Sequence, residues 1–309
     1  MYHGLKYDPL PIIVERAPEN AKLSLLSTLG LLHTRLAGDI ISALMDRQNT
    51  DGGFPNQFDK KSSGLKSTYS TATVLLECGV SADSSTIKRA VQFVLKLQQP
   101  EGGFVEAADV PVPMSMSWES KERPVTYYAS HICRLLSRAE QSDTLPFQKA
   151  VSWLKNAQLE DGSFPMTEGG EPDPDSTADI AFTIRDVCGD NDEAYLKSRE
   201  RFEDCLSKFS QDVERGYYVY EGKNQELDIY YLTQFLSKPI IKAGYDLGDK
   251  RVAKIVEAIV ETQRPDGGWR TFWGAGSDPF YTCRTLEMLL LMDAVPRSAV
   301  SEDLRRYCG

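Results

Sequence analysis

The stretch EPDPDSTADIAF, Glu171 to Phe182, sets three carboxylates and two prolines ahead of an apolar run. Within it, Asp173-Pro174-Asp175-Ser176-Thr177-Ala178 places two aspartates two residues apart, and Asp179 follows one helical turn beyond Asp175. Carboxyl groups held this close and away from bulk water cannot all ionise together, so one of them keeps its proton. An acid that is protonated at rest is what the protonation of a carbon–carbon double bond demands. Two other chemistries fit the same residues. An Asp just before a helix is an N-cap, ionised, with a lowered pKa, typically adding about 1 kcal/mol. An acidic trio also suits Mg2+ or Ca2+, which take oxygen ligands.

The elements that position this stretch follow from an internal repeat. Five segments share one pattern: QNTDGGF from Gln48, QQPEGGF from Gln98, QLEDGSF from Gln158, QDVERGYY from Gln211 and QRPDGGW from Gln263. The glutamines are 50, 60, 53 and 52 residues apart, long enough for two helices and two connections per unit. Before each Gln lies an amphipathic run such as STIKRAVQFVLKLQ or RVAKIVEAIVETQ, the pattern of a half-solvated outer helix. After each aromatic and a loop comes a run with fewer charges, such as STYSTATVLLECG, TYYASHICRLL, STADIAFTIRDVCG, LDIYYLTQFL or DPFYTCRTLEMLLLM, the pattern of an inner helix.

With AKLSLLSTLGLLHTRL as a first inner helix and AVSEDLRRYC as a last outer one, the spacing predicts six pairs: an all-α (α/α)6 toroid, a single domain over residues 1–309. Gly in each turn ends the outer helix in the left-handed region, and the Gln side chain bonds helix-end groups across the turn. GYYVYEG is the one candidate strand. Counted from the repeat aromatic, Asp175 follows Phe164 by 11 residues, Asp228 follows Tyr217 by 11 and Asp278 follows Trp269 by 9. That register gives Asp175, Asp228 and Asp278 the capping place and leaves Asp173 without capping duty.

A Gln-x-x-Asp-Gly-x-aromatic repeat along helical pairs resembles the superfamily of squalene-hopene and oxidosqualene cyclases, class II diterpene cyclases and protein prenyltransferase β-subunits. The prenyltransferase branch implies zinc held by an Asp, a Cys two residues on and a distant His. Here none of Cys78, Cys133, Cys188, Cys205, Cys283 and Cys308 has an Asp two residues before it, and the histidines are only His3, His33 and His131, so no zinc is expected. His131, amid YYASHICRLL, reads as a pocket or core residue. The thioester branch requires Gly-Cys-Gly-Glu-Gln, which is absent.

The cyclase branch carries Asp-x-Asp-Asp-Thr-Ala, whose middle Asp is the acid. The match here is complete except for Ser176 in place of the last Asp, which weakens the support of the acid. The resemblance implies Asp175 as proton donor with Asp173 beside it, in a class II terpene cyclase that cyclises a linear prenyl diphosphate (C15 or C20), with Mg2+ accompanying the diphosphate. Aromatic faces would stabilise the cations that follow; the candidates are Trp118, Tyr127, Tyr128, Tyr230, Tyr231, Trp273, Phe280 and Tyr281, with Asp179 adding charge on the acid's helix face. Such enzymes generally build the site between two helical domains, so a homodimer is one way to complete the cavity. The competing reading is a non-catalytic toroid that holds an apolar ligand or a partner protein.

Composition limits the partners. A net charge of −10 and a pI near 5.0 argue against nucleic acid, which needs a basic face. No apolar run approaches the roughly 20 residues of a membrane span, and the N-terminus lacks the basic and apolar regions of a signal peptide. The six cysteines are scattered without C-x-x-C pairs, consistent with reduced thiols in a cytoplasmic protein.

Overall fold

A computed structural model describes residues 3–56, 59–107, 110–111, 123–220, 223–233 and 236–308. Among these residues the chain forms fourteen α-helices and three two-stranded antiparallel ribbons. By internal contacts it divides into two compact units, Ser42–Phe202 and the combination of Met1–Ile41 with Glu203–Gly309.

In the first unit, α4 (Leu65–Glu77), α6 (Thr126–Arg138) and α8 (Pro174–Cys188) are the inner helices, and α6 packs between the other two. The outer helices are α5 (Ser85–Lys96) and α7 (Leu145–Asn156). α3 (Arg35–Asp46) precedes them and α9 (Glu193–Arg215) follows. The second unit carries α1 (Leu10–Arg16), α2 (Glu19–Thr28), α10 (Ile229–Thr233), α11 (Lys238–Lys242), α12 (Lys250–Glu261), α13 (Pro279–Leu291) and α14 (Arg297–Cys308).

Four of the five repeats are turns that follow an outer helix. The repeat glutamine is the clasp: its Nε2 donates to the carbonyl of the turn glycine and to a carbonyl at the start of the next outer element. Gln48 bonds Gly52 O and Thr86 O, both at 2.8 Å, and Gln98 bonds Gly102 O at 3.1 Å and Pro146 O at 2.8 Å. Gln158 bonds Gly162 O at 3.3 Å and Ala194 O at 2.8 Å, and Gln263 bonds Gly267 O at 2.8 Å and Tyr7 O at 3.0 Å. The repeat aromatics Phe54, Phe104, Phe164 and Trp269 are buried beneath.

A second clasp ties three of the four turns to an inner helix. Thr68, Thr177 and Thr282 each use their hydroxyl to accept from the backbone N–H of the repeat aromatic, at 2.9, 2.8 and 3.2 Å. The threonine of the Asp-Pro-Asp-Ser-Thr-Ala stretch is thereby a structural staple that fixes where α8 begins.

Three expectations are corrected. The fourth repeat is not a turn: Gln211 lies inside α9, which runs on to Arg215 before Gly216 turns away at φ +76°. With Glu-Arg replacing Asp-Gly, no glycine is available where the other turns break. GYYVYEG forms the strand expected of it, Tyr217–Tyr220 pairing with Lys223–Glu226, but it does not stand alone: Phe54–Pro55 pairs with Ser63–Gly64 and Phe164–Pro165 with Pro172–Asp173. The first inner helix stops at Thr28 because Gly30 takes φ +70°, and the residues from Arg35 belong to the next helix.

The turn glycines are sites of close approach as well as of positive φ. Gly102 has φ +115°, and a methyl group there would meet the Lys149 carbonyl oxygen at 2.3 Å; Gly79 has φ +88° with nothing within 4 Å. Gly79→Ala is expected to cost about 1 kcal/mol from backbone strain alone, and Gly102→Ala at least twice that, measured by urea denaturation. Equal losses would show that the approach of turn to helix is not what the glycine serves.

Candidate active site

The site is built at the N-terminus of α8 and on the facing side of α6. The capping roles differ from those the sequence register gave. Asp173, not Asp175, is the N-cap of α8: its Oδ1 accepts from Ser176 N at 2.7 Å, with Pro174 in the first helical position. Asp228 and Asp278 cap their helices in the same way, accepting from Tyr231 N and Tyr281 N at 3.0 Å. Their counterpart is therefore Asp173. Asp173 follows Phe164 by 9 residues, as Asp278 follows Trp269; the loop from Tyr217 to Asp228 is the one that is two residues longer, and aligning on it shifted the register to Asp175.

Asp175 stands in the second helical position, where α4 has Lys66, α6 has Tyr127 and α13 has Phe280. It has no capping duty, and no donor among the described residues reaches its carboxyl group. The side chain keeps some accessible surface while protein crowds it on nearly every side. Desolvation, then the charges of Asp173 and Asp179, push its pKa up to about 8.

Asp179, one turn on, behaves in the opposite way. Arg134 and Ser130, both from α6, donate to its two carboxylate oxygens, and His131 Nε2 lies 3.8 Å from Oδ2. Burial alone would raise its pKa, but Arg134, His131 and the hydrogen bonds outweigh it and hold the group down at about 2. Asp179 is thus a buried counter-ion committed to Arg134, not a group facing a ligand. With Asp173 spent on the cap and Asp179 on Arg134, the trio does not fit a Mg2+ or Ca2+ site. Among the described residues no three His, Cys, Asp or Glu side chains converge as metal ligands. Ser176 is fully buried and its Oγ has no partner among the described residues, so it lends the acid no hydrogen bond.

The aromatic candidates fall into two groups. In the unit that holds the acid, the Tyr127 ring lies edge-on to His131 at 4.5 Å, and Tyr69 stacks on His131 at 5.3 Å. Tyr128 is 1% exposed and packs against Tyr69 at 5.7 Å, which places it in the core. Trp118 lies outside the described residues. In the other unit, Tyr230 meets Trp273 at 5.1 Å and Tyr281 at 5.9 Å, while Phe280 packs on Tyr281 at 5.3 Å. Trp273 and its neighbour Phe272 are exposed, at 54% and 62%. Tyr231 is taken up internally: its ring stacks on Tyr218 at 3.9 Å and its hydroxyl donates to Asp212 at 2.8 Å.

Sequence reasoning missed Ser130 and Arg134. The available signal was an arginine in the apolar run YYASHICRLL, since a buried guanidinium requires a partner. Their placement on α6 at the register of Asp179 gives the site its charge structure.

Residues 21–178 match the prenyltransferase alpha-alpha toroid domain, with a second, overlapping match over 114–223, and the chain belongs to that family. Among solved structures, a protein from Actinoplanes is similar over 93% of this chain and 97% of its own, with 15% identity and a TM-score of 0.62. A variant of the type II terpene cyclase MstE from Scytonema, in complex with geranylgeranyl dihydroxybenzoate, is similar over 93% of this chain and 88% of its own, with 14% identity and a TM-score of 0.62. Unmutated MstE without ligand gives 14% identity and a TM-score of 0.61 over 89% and 90%. The all-α toroid fold of type II terpene cyclases is therefore the fold of this chain. No described helix is long and apolar enough to cross a membrane.

The raised pKa of Asp175 has a thermodynamic signature. Between the ordinary carboxylate range and about pH 8 the folded state binds a proton that the unfolded state has lost, so Asp175 lowers stability progressively as pH rises through that window. Asp175→Asn, which does not titrate, is expected to gain stability relative to wild type from pH 4 to pH 8 and to hold a constant advantage above. A gap independent of pH would show an ordinary, ionised carboxylate.

Proposed function

We propose that the chain is a class II terpene cyclase that starts cyclisation by proton transfer from Asp175 to the terminal double bond or epoxide of a linear prenyl substrate. The observation that carries the reading is the division of labour among the aspartates: Asp173 caps, Asp179 is ion-paired, and Asp175 alone is left as a neutral acid. A residue present only to start a helix would have been the capping residue, and it is not.

In the proposed reaction the Asp175 O–H bond breaks as a new bond forms to the CH carbon of the terminal double bond, or to the oxygen of an epoxide, and a tertiary carbocation is left on the chain. Internal double bonds attack it in turn, and loss of a proton from the last cation ends the cascade, so the reaction is redox-neutral. Of the rings in the unit that holds the acid, that of Tyr127 is only half-buried and stabilises positive charge without acting as a base. The first substrate to test is a C15 or C20 prenyl diphosphate, with Mg2+ carried by the diphosphate rather than by the committed acidic trio. The ligand named for the Scytonema enzyme makes a prenylated dihydroxybenzoate the second.

The experiment is incubation with farnesyl diphosphate, geranylgeranyl diphosphate and geranylgeranyl dihydroxybenzoate, with Mg2+, followed by product analysis. A cyclised product that retains the head group is expected; a hydrocarbon formed by loss of diphosphate would contradict the proposal. Asp175→Asn should lower turnover by about 10²–10⁴-fold, while Asp228→Asn and Asp278→Asn, which preserve caps, should leave it near wild type. Because the acid must be protonated, the rate should be flat below about pH 8 and fall above it. A rate that rises through pH 8 would assign Asp175 the role of a base.

A further inference from the structure

The Arg134–Asp179 pair needs an explanation that packing does not supply. Both side chains are about 10% exposed, deep between α6 and α8. A buried ion pair is a weak device for stability, because the desolvation of two charges offsets most of their attraction, and apolar residues of similar size often do as well. What an apolar pair cannot supply is a fixed field. Asp179 is four residues from Asp175 on the same helix, where side chains are neighbours with Cβ atoms about 5–6 Å apart.

We propose that Asp179 is a positioning residue for the acid: fixed as an anion by Arg134 and Ser130, it places a permanent negative charge one helical turn behind Asp175 and keeps the Asp175 proton in place between turnovers. The arrangement substitutes for the carboxylate that Ser176 replaces, and does so from a place where the supporting charge is kept from solvent. The inference rests on Asp175 being the proton donor.

The charges around the pair are accounted for. α8 itself contributes Asp173, at its cap, and, toward its far end, Asp186 and Arg185, the latter paired with Asp190 at 2.5 Å. From α6 come Tyr127, His131 and Arg134, and β3 (Phe164–Pro165) and β4 (Pro172–Asp173), which also pack on α8, add no ionisable group besides Asp173. On α4, beyond α6, Glu77 is paired with Arg138 at 3.1 Å and Lys66 lies in the first turn. Asp179 is the anion behind Asp175 whose two oxygens are both held from a second helix, so its charge does not depend on exposed partners.

The test measures the stability gained from Asp175→Asn, as a function of pH, in two backgrounds. With Asp179 present the gain is expected to grow until about pH 8. With Asp179→Asn it should stop growing at a measurably lower pH, because one of the two like charges that disfavour ionisation of Asp175 has gone, while desolvation and Asp173 remain. The doubly neutral background Asp179→Asn with Arg134→Gln leaves no unpaired charge and serves where the single variant folds poorly; the same direction of shift is expected. A merely structural Asp179 would lower stability equally at every pH and leave the end-point of the gain unmoved, which would overturn the proposal. In the turnover assay the alkaline limb of Asp179→Asn should move down by the same interval. Absence of turnover with every prenyl substrate would overturn the cyclase reading alone, because the stability measurement needs no substrate.

Discussion

The site depends on one electrostatic constraint: three aspartates within seven residues cannot all be ionised in the same partly desolvated place. The fold resolves the conflict by giving two of them partners. Asp173 is held by the backbone N–H at the start of α8, and Asp179 by Arg134 and Ser130. Asp175 receives no donor among the described residues, and the two neighbouring charges add to its desolvation, so the proton remains there. A single carboxyl group in crowded surroundings would have weaker reason to stay neutral, and three unpartnered ones would disorder the helix start. The chemistry is set by which carboxylates are satisfied, more than by how many there are.

The scaffold exists to hold α6 and α8 in register so that this sorting occurs. The glutamine clasp joins each of the four turns to the following outer element, and in three of them a threonine staple joins the turn to the inner helix. Thr177 fixes the first turn of α8 against Phe164, while Thr126 at the start of α6 donates to Pro165 O and, at 2.7 Å, to Met166 O. The two helices thus begin against the same short segment. A slip of one residue in either would part Asp179 from Arg134 and leave two unpaired charges, so packing and electrostatics select the same register.

The toroid was legible because its determinants are local: a Gln, an acid, glycines and an aromatic, repeated at near-constant spacing. It failed at Gln211, where the turn lacks its glycine and the helix continues, and at Gly30, where one residue ended a helix that apolar periodicity alone would have extended. The acidic stretch was legible as chemistry but not in its assignment. Whether Asp173 or Asp175 caps depends on where α8 starts, which is fixed by Thr177 and by loop lengths that differ between repeats. Arg134 could be seen as a charge in an apolar run, but its partner lies 45 residues away and only tertiary packing brings them together.

The central claim is that Asp175 is a neutral acid at physiological pH, and it can be observed directly. Isotope-edited infrared or carbon NMR spectroscopy of the aspartate carboxyl groups, with the Asp175 signal identified by its loss in Asp175→Asn, reports the protonation state without substrate. The account predicts a protonated carboxyl at pH 7 that titrates near pH 8. A carboxylate already ionised at pH 7, with its midpoint in the ordinary range near 4, would contradict it.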